Sequence, residues 1–149
     1  MKIALVAHGD NPPYLKELFN GEGFELVEKE CNNEKEYIDL LKDADGALIY
    51  LHPLTTKEVM EQCSNLKVIS RGGVGVDSVD LEAATELGIC ICNTPGINTT
   101  EVADHAMAML LSLTRKIREQ DALVKKGYWA DRTELVHPYR SELGRIAGN

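Results

Sequence analysis

The stretch KVISRGGVGVDSVDLEAATELGICIC, residues 67–92, contains the signals for a strand, a turn, a helix and a second strand in succession. It begins with an apolar run, passes through three glycines within four positions, and ends in a second apolar run. Asp80 stands where a helix N-cap is expected, and Gly88 stands where the helix should end. This order predicts a strand–helix–strand unit, which joins neighbouring strands of a parallel sheet.

The same pattern recurs along the chain. Short apolar runs begin at Ile3, Phe24, Gly46, Lys67 and Ile89, at intervals of 21 or 22 residues. The intervals carry helix-start signals, namely Asn11 before two prolines, Asn33 with Glu36, and Thr55 with Glu58. Runs that are apolar at nearly every position are typical of strands buried on both faces. The sequence therefore predicts an α/β fold over residues 1–98, a flavodoxin-like, doubly wound parallel sheet of five strands.

Composition excludes several classes of partner. The 149 residues include 24 acidic and 16 basic ones, and a net charge of −8 disfavours nucleic acid and anionic membranes. The short apolar run at the N-terminus is not typical of a signal peptide, and a cytoplasmic location is expected. The four cysteines (Cys31, Cys63, Cys90 and Cys92) lack paired C-x-x-C spacing, so we expect no metal site and reduced thiols in the core.

Polar residues follow the predicted strands at what should be one edge of the sheet, where ligands bind in such folds. They are His8, His52, Arg71 and Asn93. A direct binding role for His8 or His52 stands beside the simpler interpretation of solvated or capped residues. The loop after strand one, AHGDNPP, carries neither the acidic pair of receiver domains nor the hydroxyl-rich phosphate loop of flavodoxins.

The glycine turn is the strongest candidate site. Gly72, Gly73 and Gly75 can adopt positive φ and leave room for successive backbone N–H groups to point at one anion. The alternative is a tight turn without a ligand. Ser78 stands where a dinucleotide fingerprint would have its third glycine, so no pyrophosphate site is expected.

Residues 66–117 resemble the D-isomer-specific 2-hydroxyacid dehydrogenases, including the phosphoglycerate dehydrogenase type. The motifs GVGVDSVDLEAA, NTPG and EVADHAMAMLL occur in the order and at the intervals of that family. The resemblance implies a substrate-binding domain whose loop holds the carboxylate of a small 2-hydroxy or 2-oxo acid. The substrate residues would then be Arg71, Gly72, Gly73, Val74, Gly75 and His52. Val74, Asn98 and Thr99 would face the nicotinamide cofactor.

The family reaction passes a hydride between C2 of the acid and NAD. The arginine, glutamate and histidine that carry it belong to a later part of the family chain, so no catalytic residue is assigned in these 149 residues. The tail over 128–149 is expected to be irregular and ends in LGRIAGN, which is similar to the end of a Rossmann fingerprint without its strand. We therefore expect either a chain truncated before the NAD-binding domain or one half of a split enzyme, without tight NAD binding and inactive in isolation.

The identity of the acid stays open, because Tyr50, Leu51 and His52 stand where phosphoglycerate-specific relatives tend to carry arginine. An alternative function is a non-enzymatic, dimeric binding or regulatory module derived from the same family.

A long helix is predicted over residues 99–127, with Asn98 and Glu101 as its capping box. One apolar stripe runs through Val102, Ala106, Met109, Leu113 and Ile117, and another runs through Ala103, Met107, Leu110 and Leu111. Since one sheet can cover only one side of such a helix, we expect a homodimer through Thr99 to Arg118. Coverage by a missing domain and packing within the same domain are the alternatives.

Overall fold

The computed structural model describes residues 1–7, 11–12, 14–132, 134–135, 143–144 and 146. The contacts divide the chain into two compact units, Met1–Ile97 and Asn98–Asn149. They are called the first and the second unit below.

The first unit alternates strands and helices. Its strands are β1 (Lys2–Val6), β2 (Glu25–Lys29), β3 (Gly46–Ile49), β4 (Val68–Arg71) and β5 (Cys90–Cys92). Its helices are α1 (Tyr14–Gly21), α2 (Glu34–Leu41), α3 (Lys57–Glu61) and α4 (Leu81–Glu86). Each strand begins within one residue of the apolar run that predicted it.

All the strand pairs of the sheet are parallel, and the strand order is β2-β1-β3-β4-β5. This is the order of the flavodoxin-like doubly wound fold, so the fold class predicted from the sequence is confirmed. The chain reverses direction across the sheet beside β1, and ligands of such folds bind at the carboxyl ends of the strands.

The core lies mainly on one face of the sheet. Alternate strand residues, among them Ala4, Ile49 and Ile69, pack with buried side chains of α2, α3 and α4. Right-handed crossovers place α1 on the opposite face, where it packs on the edge strand β2 and buries none of its residues. The two faces of the first unit are therefore covered unequally.

Side-chain caps fix where the helices of the first unit begin. The side chain of Asn33 accepts a hydrogen bond from Glu36 N, and that of Asp80 accepts one from Ala83 N, as the sequence predicts. The capping box predicted to start at Thr55 is wrong by one residue, because Thr56 is the N-cap of α3 and accepts from Val59 N. Thr55 is instead buried.

The side chain of Thr55 ties the loop before α3 to α2. Its Oγ1 lies 2.6 Å from the hydroxyl of Tyr37, and both residues are buried. Thr55 also forms a parallel bridge with Val79, which connects the loop to the segment after β4. Burial raises the pKa of Tyr37 to about 12, although the hydrogen bond with Thr55 opposes the shift.

In the second unit, the single long helix predicted over 99–127 is wrong. Helix α5 (Thr99–Thr114) ends before Lys116, which has left-handed backbone angles, and α6 (Ile117–Lys125) and α7 (Tyr128–Asp131) follow. A left-handed residue cannot continue a right-handed helix. The Thr114 hydroxyl also donates to Leu110 O at 2.9 Å, a contact that favours bending at a helix end.

The tail predicted as irregular over 128–149 thus begins with a helical turn, α7. Gly144 N donates to Thr114 O, within the same unit. Gly148 lies outside the described residues. Among the helices that the structure describes, none is both long enough and apolar enough to cross a membrane.

The prediction that the cysteines lie in the core holds only for Cys63. Cys31 is half-buried, and Cys90 and Cys92 are exposed, although all four are free thiols. The apolar pattern of β5 suggested burial on both faces, but β5 is an edge strand, and its two cysteines lie on the face opposite the core.

Replacing Tyr37 tests the buried hydroxyl pair. Tyr37→Phe leaves the Thr55 hydroxyl without its partner, so we expect it to lower the free energy of unfolding by about 1–3 kcal/mol. Tyr37→Phe with Thr55→Val should recover part of this loss, because both polar groups are then removed. Urea denaturation at pH 7 measures both, with the exposed Tyr14→Phe as the control that should change little.

The same variants carry a pH signature. Because the folded pKa of Tyr37, about 12, lies above the unfolded value of about 10, its stabilising contribution is present below pH 10 and is lost toward pH 12. The decline of stability above pH 10 should therefore be shallower in Tyr37→Phe than in Tyr14→Phe. Equal slopes would show that Tyr37 ionises normally in the folded chain.

Candidate functional site

The candidate site lies where β3 and β4 end side by side. Ile49 is the register partner of Arg71, and the amide of Gly72 donates to Ile49 O at 2.8 Å. The ladder therefore continues one residue beyond β4, and the glycine loop, residues 72–75, starts at the carboxyl edge of the sheet. This is the position that the sequence predicts for a ligand.

Two side chains crowd the first half of the glycine loop. A Cβ on residue 73 would lie 1.6 Å from Arg71 Nη1, because the guanidinium group of Arg71 lies against the backbone of Gly73. A Cβ on residue 72 would lie 2.8 Å from the ring carbon Cε1 of Tyr50. The loop needs glycine here so that an arginine and an aromatic ring can contact its backbone.

This close approach corrects the reason given by sequence analysis. Of the loop glycines, only Gly73 has a positive φ, and at 159° it is nearly extended. At Gly75 the crowding group is the carboxylate of Asp77, whose Oδ2 would lie 2.7 Å from an added Cβ. An added Cβ is thus crowded by nearby side chains, the ring of Tyr50 at Gly72 and the charged groups of Arg71 and Asp77 at Gly73 and Gly75, rather than excluded by left-handed backbone.

The backbone amides of the loop fall into two pairs. Gly72 N and Gly73 N already donate to backbone carbonyls, those of Ile49 and Arg71. Val74 N and Gly75 N donate to no other residue in the described ranges. The predicted cradle of amides over Gly72 to Gly75 is therefore reduced to Val74 and Gly75.

The end of β5 orients the two free amides. Thr94 N donates to Gly73 O at 3.0 Å, and the side-chain amide of Asn93 donates to Val74 O at 2.7 Å. In a trans peptide the N–H points opposite to the C=O. Because both carbonyls face β5, the amides of Val74 and Gly75 both point away from it, toward one side of the loop.

Sequence analysis placed Asn93 at this edge but missed its role in fixing the loop, and it missed Tyr50 as the ring that packs on Gly72. Tyr50 also donates from its hydroxyl to Asn11 Oδ1 at 3.1 Å, which links β3 to the loop after β1. Asn93 could be recognised as a candidate because it is a polar residue directly after a predicted strand. Nothing in the local sequence points to Tyr50.

Arg71 supplies the positive charge of the site. Its Nε is buried and has no hydrogen-bond partner among the residues that the structure describes. Within the same ranges its guanidinium makes no ion pair. Two free amides and an arginine without a carboxylate partner form an arrangement that favours an anion.

The other predicted site residues are not brought into contact with the glycine loop by any described interaction. His52 is exposed in the loop between β3 and α3. His8 lies outside the described residues. Asn98 and Thr99 begin α5 in the second unit, and Asn98 makes no side-chain capping hydrogen bond, so its predicted capping box with Glu101 is not formed. Contacts of Asn98 and Thr99 with a cofactor stay predictions.

A recess of about 230 Å³ lies between the loops that precede α3 and α4. Most of its polar groups already make hydrogen bonds: Thr56 and Asp80 cap the two helices, Thr55 bonds to Tyr37, and Ser78 Oγ donates to Tyr50 O. The remaining polar side chain in the lining is the carboxylate of Asp77, which does not favour an anion, so the glycine loop stays the better candidate. Within the described ranges, no cluster of histidine, cysteine, aspartate or glutamate side chains could hold a metal ion.

The family model and the sequence relatives that match this chain agree with each other. Residues 4–133 match the family model of the D-isomer specific 2-hydroxyacid dehydrogenase catalytic domain. The chain is 38% identical over 126 residues to the D-3-phosphoglycerate dehydrogenase of Archaeoglobus fulgidus, a match that covers 85% of this chain and 24% of the relative. The chain thus spans about a quarter of the length of this curated relative.

Solved structures agree with the sequence relatives. The NAD-dependent formate dehydrogenase of Staphylococcus aureus, in complex with NAD, superposes with a TM-score of 0.75 at 28% identity, covering 98% of this chain and 46% of that one. The NAD⁺-bound 3-phosphoglycerate dehydrogenase of Entamoeba histolytica gives a TM-score of 0.66 at 29% identity, with 78% and 40% covered.

Substituting Gly72 tests the crowding by Tyr50. Gly72→Ala places a methyl group against the ring, so we expect a loss of about 1–3 kcal/mol in the free energy of unfolding, measured by urea denaturation. The matched control is Gly21→Ala at the end of α1, where an added Cβ meets nothing within 4 Å. A Gly72→Ala variant as stable as Gly21→Ala would contradict the close packing of Tyr50 on the loop.

Proposed function

Because this chain belongs to the D-isomer specific 2-hydroxyacid dehydrogenase family, we propose that its first unit is the substrate-binding domain of an NAD-dependent D-2-hydroxyacid dehydrogenase of the phosphoglycerate dehydrogenase type. The observation that carries the proposal is the loop after β4, in which the free amides of Val74 and Gly75 share one side and Arg71 supplies a guanidinium beside Gly73.

The ligand is the carboxylate of a small 2-hydroxy or 2-oxo acid. One carboxylate accepts from the amides of Val74 and Gly75 while the guanidinium of Arg71 neutralises its charge. Asn93 and Thr94 hold the loop carbonyls, so the amides are oriented before the acid arrives. His52, exposed in the neighbouring loop, would contact the remainder of the acid.

The chain's own residues bind and orient the acid. In the family NAD supplies or accepts the hydride at C2, and the resemblance assigns the side chain of Val74, which is 42% exposed, to the contact with the nicotinamide. The loop does not fit the pyrophosphate of NAD, because the amides of Gly72 and Gly73 are engaged and Ser78 Oγ donates to Tyr50 O. We therefore propose no tight NAD binding by these 149 residues alone, and no dehydrogenase activity from them alone.

Titration with small acids tests the loop. We expect D-glycerate or pyruvate to shift the backbone amide resonances of Val74 and Gly75, with dissociation constants on the order of millimolar, because a few hydrogen bonds in an open cleft contribute little net free energy. Arg71→Gln should weaken the binding. Arg118→Gln, which removes the same charge from α6 of the second unit, is the matched control and should leave it unchanged.

Shifts scattered over other residues would contradict the site, as would equal weakening in the two arginine variants. Either result would favour a turn without a ligand over a carboxylate site.

The second unit is proposed to form a homodimer through α5 and the residues up to Arg118. No residue of α5 is buried in the chain, and Leu113 is 77% exposed. Val102 and Met109 lie with Leu113 on one side of the helix and are also exposed. Ile117, predicted to continue this stripe, follows the left-handed residue Lys116, so the continuous part of the stripe ends at Leu113.

Association would remove these side chains from water. Each leucine, methionine or valine contributes about 1.5–3 kcal/mol when fully buried, which exceeds the entropic cost once several are buried together. Glu101 and Asp104 lie on the other side of α5, so charge does not interrupt the proposed interface.

Light scattering tests the dimer. The wild-type chain should have twice its 16.5 kDa mass, and Leu113→Arg should give monomers, because it buries a charge in the interface. The control Ala108→Arg adds the same charge on the side of α5 that carries Glu101 and Asp104, and it should leave the dimer intact. A monomeric wild type at high concentration, or dimers in Leu113→Arg, would contradict the proposal.

A further inference from the structure

Two exposed cysteines on β5 have no part in the carboxylate site. Cys90 and Cys92 are separated by Ile91, and successive side chains of a strand point to opposite faces. Ile91 packs against the core cluster, so both cysteines lie on the other face of the sheet. There they stand side by side at the free edge of β5.

Within the first unit, the unequal covering of the sheet leaves this pair exposed. On that face, α1 packs on β2, the strand at the opposite edge. Four strand spacings separate β2 from β5, a distance of about 19 Å. The cysteines' neighbours in β4 are Val68 and Ser70, which are only half-buried themselves.

The two side chains are neighbours on that face, because residues two apart along a strand lie on the same side of the sheet. The other thiols are engaged elsewhere: Cys63 Sγ donates to Val59 O at 3.2 Å inside the core, and Cys31 Sγ donates to Lys29 O at 3.8 Å. Among the described cysteines, only Cys90 and Cys92 are both exposed and on one face of the sheet.

We propose that Cys90 and Cys92 form a two-thiolate binding site for a soft, monovalent cation of the Cu(I) class. Thiolates are the ligands that select Cu(I), and this ion accepts coordination by two sulfurs. Structural zinc sites need four ligands, and within the described ranges no third histidine, cysteine, aspartate or glutamate joins a cluster that could hold a metal ion.

Binding involves no change of oxidation state. Each thiol releases its proton to solvent, and each sulfur forms one bond to the cation. The cation therefore competes with two protons, and its affinity should fall as the pH is lowered.

Competition with a chromophoric Cu(I) chelator tests the proposal on the reduced, full-length chain. We expect one tightly held Cu(I) per chain, and its loss in both Cys90→Ser and Cys92→Ser. Cys31→Ser is the matched control and should retain it. The exchanges on β5 are nearly isosteric and exposed, and far-UV circular dichroism checks that each variant is folded.

A trivalent arsenical gives an independent measure of the geometry. Phenylarsine oxide condenses with two adjacent thiols and releases one water, so one equivalent should consume both cysteines of β5 and none in either single variant. Cu(I) binding that survives either substitution, or that is lost equally in Cys31→Ser, would overturn the site. So would one Cu(I) per two chains, which would indicate thiolates shared between copies.

Discussion

Parallel pairing makes every strand of the first unit end at the same edge of the sheet, and the arrangement of the loops depends on this constraint. The pairing of Ile49 with Arg71 extends by one more hydrogen bond to Gly72 and so delivers the glycine loop to that edge. The end of β5 arrives beside it, where Asn93 and Thr94 can hold the loop carbonyls. The candidate anion site is therefore assembled by the backbone ladder before any of its side chains acts.

The regular spacing of the apolar runs was enough to predict the sheet, because each parallel strand is followed by a crossover helix that returns the chain to the same end of the sheet. The spacing of apolar runs locates all five strands, and the caps at Asn33 and Asp80 are local signals that a single sequence displays. At Thr55 and Thr56 the two neighbouring residues share the same capping chemistry, and tertiary packing decides between them. The hydroxyl of Thr55 is hydrogen-bonded to that of Tyr37, and Thr56 therefore caps α3.

The parts that sequence reasoning missed depend on contacts between distant residues. Gly72 and Gly73 were recognised as a turn, but the groups that crowd them are the ring of Tyr50, just after β3, and the guanidinium of Arg71, which lies against the loop backbone. The break in the helix near Lys116 has no glycine or proline to announce it. The exposure of Cys90 follows from the position of β5 at the sheet edge, which strand order decides and local composition does not.

The buried Nε of Arg71 is expected to lower the stability of the fold while the guanidinium contributes charge to the proposed anion site. A buried donor left without a partner costs about 1–3 kcal/mol, so we expect an apolar residue at this position to stabilise the chain when no anion is bound. In a lineage where the loop no longer needed an anion, drift would favour replacing the arginine, and the fold would become more robust. With the proposed carboxylate site, relatives of this domain that bind acids are expected to keep a basic residue at position 71, and relatives that do not bind acids are expected to lose it.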